Sequence, residues 1–261
     1  MTRDEGRGRV VLVTGGASGI GFATAGVLAR RGWRVVISDL DADRTASAAA
    51  EIGASPIAFD VADEQATEAA IERIEAEQGP VEALFANAGV IQPGHIPEEL
   101  PMAEFDRVIA VNLRGVYLSC VAAGKRMARR GRGGIVITGS VTASRAAPLH
   151  AYAPAKAAAV HMATCLAAEW GRSGVRVNAV SPGYVATPPV RAAIERGLRN
   201  PELLKEAAPL GRLVEPEEIG AGVAFLLSDD ASAITGINLP VDAGWLAGAT
   251  MGTYGGMRPA R

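Results

Sequence analysis

Six short apolar runs, separated by longer helix-patterned segments, constrain this chain more than any other feature. They are RVVLVT (Arg9–Thr14), RVVISD (Arg34–Asp39), SPIAF (Ser55–Phe59), VEALFA (Val81–Ala86), GIVITG (Gly134–Gly139) and VRVNAV (Val175–Val180). Rich in Val and Ile and lacking strict apolar–polar alternation, they suit strands buried on both faces of a parallel sheet. Helices are expected near 19–31, 42–51, 63–78, 102–130 and 151–171, with Pro101 as a start signal and Gly32 and Gly131 as stop signals. Such alternation implies βαβ units with right-handed crossovers, hence an α/β, doubly wound sheet with helices on both faces. With no linker, repeat or low-complexity stretch between them, residues 1–261 read as a single domain.

Charge and composition narrow the possible partners. Lys and Arg number 26 against 28 Asp and Glu, and that near balance provides no long-range field for nucleic acid or anionic lipid. Hydrophobic residues are 49% of the chain, enough for a sizeable core, yet no apolar run approaches the roughly 20 residues of a membrane span. The opening MTRDEGRGR has no apolar segment behind it, so no signal peptide is expected and a cytoplasmic location is. Cys120 and Cys165 both fall in apolar helical patterns and read as core thiols in a reducing compartment. His95, His150 and His161 form no metal-ligand pattern, so no catalytic metal is expected. The arginines of MARRGRGG (Met127–Gly134) suit a helix C-terminus better than nucleic acid.

Directly after the first run comes TGGASGIG, from Thr14 through Gly15, Gly16, Ala17, Ser18, Gly19 and Ile20 to Gly21. A glycine-rich turn between strand and helix lets backbone approach a pyrophosphate placed at the positive end of the helix dipole. A tight turn with no ligand is the competing reading, against which the position between first strand and first helix weighs. The second run ends at Asp39, 18 residues beyond Gly21. A carboxylate there can accept both ribose hydroxyls of an adenosine, and it repels the 2′-phosphate of NADP, of roughly −1.5 to −2 charges. Otherwise Asp39 is a solvated turn acid ahead of Asp41 and Asp43. The glycine loop holds no Lys or Arg, and Arg44 has three acids nearby, so NAD is favoured over NADP. FDVAD offers Asp60 and Val61, and ANAG offers Asn87, Ala88 and Gly89, at strand carboxyl ends where ligands bind. A helix N-cap at Asp60 and a plain turn at Asn87 are the alternatives.

In HAYAPAKAAAV (His150–Val160), Tyr152 and Lys156 stand four apart on an alanine-rich helix and so share a face. A free phenol titrates near ~10, and a neighbouring ammonium favours its phenolate, so the pair can exchange a proton with an alcohol. An aromatic ring packed on a snorkelling lysine stem is the alternative. Pro154 is tolerable only near a helix start, which puts Tyr152 at the helix mouth. Ser140, 12 residues earlier, could hydrogen-bond a substrate oxygen or simply satisfy local backbone. Asn112 lies mid-helix, where an amide is unfavourable unless it has a task or faces solvent.

In this order TGGASGIG, Asp39, NAG, Asn112, Ser140 and YAPAK resemble the short-chain dehydrogenase/reductase family, from about Arg9 to Gly244. SPGYVATP (Ser181–Pro188) continues the match, and TGINLPVDAG (Thr235–Gly244) looks like the family's last strand. The resemblance implies a Rossmann-type sheet of about seven strands. It implies that Tyr152 is the acid/base, that Lys156 lowers its pKa and holds the nicotinamide ribose, and that Ser140 polarises the substrate. Asn112 would fix a water linking Lys156 to solvent. Thr14, Gly15, Ser18, Ile20 and Gly21 match the diphosphate loop, Asp39 and Leu40 the adenosine ribose, and Asp60 and Val61 the adenine. Asn87, Ala88 and Gly89 would line the ribose floor, while Pro182, Gly183, Val185 and Thr187 would flank the nicotinamide. Two departures stand out: Ala155 replaces the serine common before the lysine, and the Ser140–Tyr152 interval is one residue shorter than the commonest spacing, with Thr142 as a backup hydroxyl.

Substrate loops are expected at about 90–101, 140–151 and 183–215, where specificity usually resides. Within them Thr142, His150 and Tyr184 join Ser140 as substrate residues, with Pro93, His95, Val141 and Trp245 as further lining. Leu166–Pro188 resembles members that oxidise sugar alcohols and related secondary alcohols. The expectation is therefore an NAD-dependent dehydrogenase of a polyol or similar small alcohol. A 3-oxoacyl-thioester reductase and a catalytically silent NAD-binding sensor or scaffold are the alternatives. Family members are usually tetramers, so a homotetramer is expected, and the tail Met251–Arg261 is given the role of covering a neighbour's pocket.

Overall fold

The structure is a computed structural model that describes residues 6–248, 251 and 255–257. The chain alternates β1 (Val10–Thr14), α1 (Gly19–Arg30), β2 (Arg34–Asp39), α2 (Ala42–Ile52), β3 (Ser55–Ala58), α3 (Glu64–Gln78) and β4 (Val81–Ala86). A long helix follows as α4 (Met102–Ile109) and α5 (Val116–Arg130), with a π-helical turn at Ala110–Gly115 between them. Then come β5 (Gly133–Thr138), α6 (Tyr152–Trp170), β6 (Val175–Pro182), α7 (Pro188–Glu195), α8 (Pro201–Glu206), α9 (Pro216–Leu227), β7 (Asn238–Val241) and α10 (Trp245–Gly248).

All seven strands pair in parallel, in the order β3-β2-β1-β4-β5-β6-β7. Because successive strand residues face opposite sides, the sheet has two cores. Leu12, Val36, Leu84, Ile135 and Val177 face one, with Ile71 of α3, Cys120 of α5 and Ala163 of α6. Val11, Val13, Ile37, Phe85 and Val136 face the other, with Leu28 of α1, Ala49 of α2 and Val223 of α9. Phe85 is fully buried, so truncating it to Ala costs about 3–5 kcal/mol. Between α5 and α6 the fit is close: a Cβ on Gly124 would meet the Trp170 ring.

Several expectations need correction. The stretch 183–215 contains α7 and α8 rather than loop alone, and α9 was not anticipated. Cys165 is exposed, whereas Cys120 is buried in the core, where burial pushes its thiol up to about 12. One continuous helical stretch, Met102–Arg130, does reach the length and hydropathy of a membrane span, but half of its most apolar window is buried against the protein. The tail from Met251 lies mostly outside the described residues.

Candidate active site

The chain winds away from β1 in opposite directions, to β2 and β3 on one side and to β4 onward on the other. Crossovers therefore diverge between β1 and β4, and a crevice opens beyond their carboxyl ends. There the structure has a cleft of ≈ 680 Å³. Its rim is stitched together by side chains. Thr14 Oγ1 accepts from the amides of Asn87 (3.0 Å) and Ala88 (3.1 Å), and Asn87 Nδ2 donates to the carbonyls of Thr14 and Gly15. Thr138 Oγ1 donates to Asn87 Oδ1, which ties in β5.

Two glycines of the first loop have distinct reasons to be glycine. Gly15 has φ +63°, and a Cβ there would lie 2.8 Å from Ala88 Cα, so strand ends β1 and β4 could not approach. A Cβ on Gly21 would lie 2.1 Å from the Gly15 carbonyl oxygen, so this glycine permits α1 to pack on its own loop. Ser18, which precedes α1, makes no side-chain cap, leaving the helix's first amides available to an anion.

At the far end of the cleft Asp39 has a side chain only 14% exposed. Its Oδ1 accepts from the Leu40 amide and from Arg44 Nη2, both at 2.9 Å, and Asp41 instead caps α2. Arg44 thus sits in the cleft as the partner of Asp39. Asp60 also lines the cleft, its Oδ1 accepting from the Ala62 amide, while the N-cap of α3 is Asp63. That settles the capping alternative against Asp60. Ser38 is fully buried, its hydroxyl without a partner among the described residues, and it too lines the cleft.

At the other end Tyr152 begins α6 and Lys156 follows one turn later, its Nζ 5.6 Å from the centre of the phenol ring. Lys156 is 2% exposed and donates to the Thr138 carbonyl at 2.8 Å. Loss of hydration brings its amine down to about 8. The same cause moves the phenol upward, against a hydrogen bond from Ser140 that favours the phenolate. Burial is the larger of the two influences on the phenol, and Ser140 opposes it. Ser140 Oγ accepts from Thr142 twice, from the amide at 3.1 Å and from Oγ1 at 2.9 Å. Thr142 thereby holds the Ser140 hydroxyl in place near the phenol.

Asn112 lies in the π-turn and is fully buried. Its Nδ2 donates to the carbonyls of Val90 (2.7 Å) and Val108 (3.0 Å), and Oδ1 accepts from the Val90 amide (3.3 Å). The amide's task in the structure is to clamp the loop after β4 to the helix. Gln92, unremarked in the sequence, does comparable work: its Oε1 accepts from the amides of Ala151 and Tyr152 at the start of α6. These contacts span 59 and 60 residues, so no local sequence signal marks them.

Of the residues expected at a cofactor site, Gly15, Ser18, Ile20, Asp39, Leu40, Asp60, Val61, Asn87, Ala88, Gly89, Tyr152, Lys156 and Thr187 line the cleft, and Asn112 joins them. Thr14 and Gly21 lie behind it as supports. Pro182, Gly183 and Val185 do not line it: Pro182 ends β6, Gly183 packs on Asp242, and Val185 bridges Val214. Among the expected substrate residues, Thr142 and His150 line a separate pocket of ≈ 380 Å³ beside α6, and Tyr184 stacks edge-on with Trp245 at 5.9 Å. Arg199 and Ile91 line the main cleft without having been expected.

These features fit a dinucleotide: a glycine cradle, open helix amides, three cations (Arg44, Lys156, Arg199) against two acids, and a buried, unpartnered Ser38 hydroxyl. Sequence comparison identifies the class. The family model described as enoyl-(acyl carrier protein) reductase matches residues 15–246. The chain belongs to the short-chain dehydrogenase/reductase family, oxidoreductases of CH–OH groups that bind a nicotinamide dinucleotide. The D-threitol dehydrogenase of Mycolicibacterium smegmatis is 41% identical over 244 residues, 91% of this chain and 93% of that protein. Among solved structures, the ribose-5-phosphate isomerase from Brucella melitensis has a TM-score of 0.94 at 43% identity, covering 97% of this chain and 98% of that one. A gluconate 5-dehydrogenase from Burkholderia cenocepacia, in complex with NADP and tartrate, has a TM-score of 0.88 at 31% identity, covering 94% and 98%. Names this varied on one fold leave the substrate to be argued from the site.

Proposed function

We propose that this chain is an NAD-dependent dehydrogenase of a polyol or related secondary alcohol, with Tyr152 as its acid/base. The observation that carries this is Tyr152 with the buried Lys156 one turn away, both lining the nucleotide-sized cleft. A bound nicotinamide would supply the acceptor for the hydride that an alcohol carbon loses as it becomes a carbonyl. The chain's own part is to hold the alcohol oxygen near Tyr152 and Ser140, to take its proton at the Tyr152 oxygen in its phenolate form, which thereby becomes the phenol, and to carry charge at Lys156 Nζ. Asn112 holds the loop bearing Gly89 and Val90 against this group. Gly15, Ser18 and Ile20 would hold the diphosphate, Asp39 and Leu40 the adenosine ribose, Asp60 and Val61 the adenine, and Thr187 the nicotinamide side.

NAD rather than NADP is supported by Asp39, whose Oδ2 has no hydrogen bond among the described residues and suits a ribose hydroxyl. Arg44 favours the second reading, since release from Asp39 would let it meet a 2′-phosphate. A relative's solved complex with NADP gives that reading weight. The description of the family model leaves a thioester reductase as the alternative, and the alcohol-dehydrogenase relatives support the alcohol reading better. The proposal includes a homotetramer in the cytoplasm, whose contacts would use α5 and the last strand, where Tyr117 and Ile237 are exposed. The test is an NADH-formation screen over polyols and secondary alcohols, repeated with NADP. Turnover of polyols with NAD is the expected result; faster turnover with NADP sinks the cofactor assignment, and NADH binding without turnover on the whole panel favours a sensor.

A further inference from the structure

Among the described residues that line the main cleft, one cation has no partner within the chain. Arg44 is paired with Asp39 at 2.9 Å, and Lys156 donates to the Thr138 carbonyl at 2.8 Å. Arg199, in the connection between α7 and α8, also lines the cleft but makes no hydrogen bond or ion pair. The neighbouring arginines are engaged locally: Arg191 by the Ala186 carbonyl and Glu215, Arg196 by the Ala192 carbonyl. Neither of those two lines the cleft.

The wall that carries Arg199 begins at the glycine loop. A Cβ on Gly19 would lie 3.7 Å from Thr187 Cγ2, just ahead of α7. Val190 and Ala193 continue that wall along α7 at a spacing that keeps one helix face toward the cleft, and Arg199 follows beyond the helix end. TGGASGIG supplies amides and a helix start to an anion but no Lys or Arg. Arg199 is the unpaired positive charge on the wall adjoining it, and a guanidinium offers phosphate oxygens a fork of parallel N–H donors.

We propose that Arg199 binds the diphosphate of the dinucleotide, so that the anion is held between the glycine loop and the segment joining α7 to α8. This rests on the NAD reading above and deepens it, adding the countercharge that the loop lacks.

The test compares wild type, Arg199→Gln and Arg199→Lys. Binding of NADH and NADPH is followed by their fluorescence, with ADP-ribose and adenosine as competitors for the NADH site. Arg199→Gln should weaken NADH and ADP-ribose by about 5- to 50-fold and leave adenosine unchanged. Arg199→Lys keeps the charge without the fork and should fall between the two. Added salt should weaken ADP-ribose binding to wild type more than to Arg199→Gln. Arg199 is exposed and supports no internal contact, so the thermal midpoint of the ligand-free variants should stay at the wild-type value. Unchanged NADH and ADP-ribose affinity in Arg199→Gln overturns the assignment. So does a loss for NADPH alone, which moves the arginine to a 2′-phosphate, or a loss confined to the KM of the alcohol, which moves it to the substrate. A wild type that binds neither NADH nor ADP-ribose overturns the NAD reading itself, a result distinct from the other three.

Discussion

Thr14 is expected to anchor the cleft rather than to touch a ligand, and substituting it isolates that role. It is 1% exposed, and its hydroxyl oxygen accepts from the amides of Asn87 and Ala88. Thr14→Val keeps the shape and removes the acceptor, leaving two amides at the floor of the cleft unsatisfied. Each such amide costs about 1–3 kcal/mol, so the variant should lose about 2–6 kcal/mol. At about 2–4 °C per kcal/mol for a chain near this size, the midpoint falls on the order of 10 °C. Thr14→Ser keeps the acceptor and loses one methyl, which costs about 1 kcal/mol. Urea unfolding of the three proteins, with and without NAD, is the assay. The dinucleotide should stabilise Thr14→Val less than the other two, since stabilisation by a ligand follows its affinity. A Thr14→Val protein as stable as Thr14→Ser, with equal stabilisation by NAD, would show that those amides find other partners and that the hydroxyl does not hold the loop.

Other expectations follow from the same contacts. Lys156 titrates at about 8 in the folded protein against a usual value near ~10.4, so folding releases a proton between these values and stability rises with pH across that window. The gain, on the order of 3 kcal/mol, should be absent from Lys156→Met when urea unfolding is compared at pH 7.5 and 10. Tyr152→Phe should lower kcat by roughly 10²- to 10⁴-fold with NADH affinity retained, and near-normal turnover would remove the phenol from the chemistry. Asp39→Ser should lower the NAD-over-NADP ratio of kcat/KM by about tenfold, equivalent to 1.4 kcal/mol, because the acid is removed and Arg44 is freed. An unchanged ratio would place cofactor choice elsewhere.

The strands could be read in the sequence because burial on both faces removes the need for alternation, and runs such as VVLVT are too apolar for a loop and too short for a helix. The glycine loop and Tyr152 were legible because their meaning is local: a turn, a helix start, a spacing of four. What was missed depends on distance along the chain or on uniform composition. Helix α9, PEEIGAGVAFLL, packs against α1 and the sheet and is apolar over most of its surface, so its periodicity is faint. Its signal was the reciprocal cap between Glu215 and Glu218 ahead of a proline. Helices α7 and α8 were hidden by prolines that read as loop residues but stand at helix starts. Gln92 and Asn112 act on backbone 22 to 60 residues away, which only the fold reveals.

The environment of Tyr152 adds an influence that the spacing of four does not reveal. A lysine four residues away suggests a charge that makes the phenol acidic. Burial, however, acts on both groups at once, raising the acid that would become an anion and lowering the base that would become a cation. Burial thus works against the phenolate, and proximity to Lys156 does not by itself make one. What opposes burial is Ser140, and its effectiveness depends on which way its single hydrogen points. Thr142 fixes the Ser140 oxygen, donating to it from both its amide and its hydroxyl. The serine that opposes burial is thus itself held by a residue two positions further on, in a loop one residue shorter than the commonest spacing.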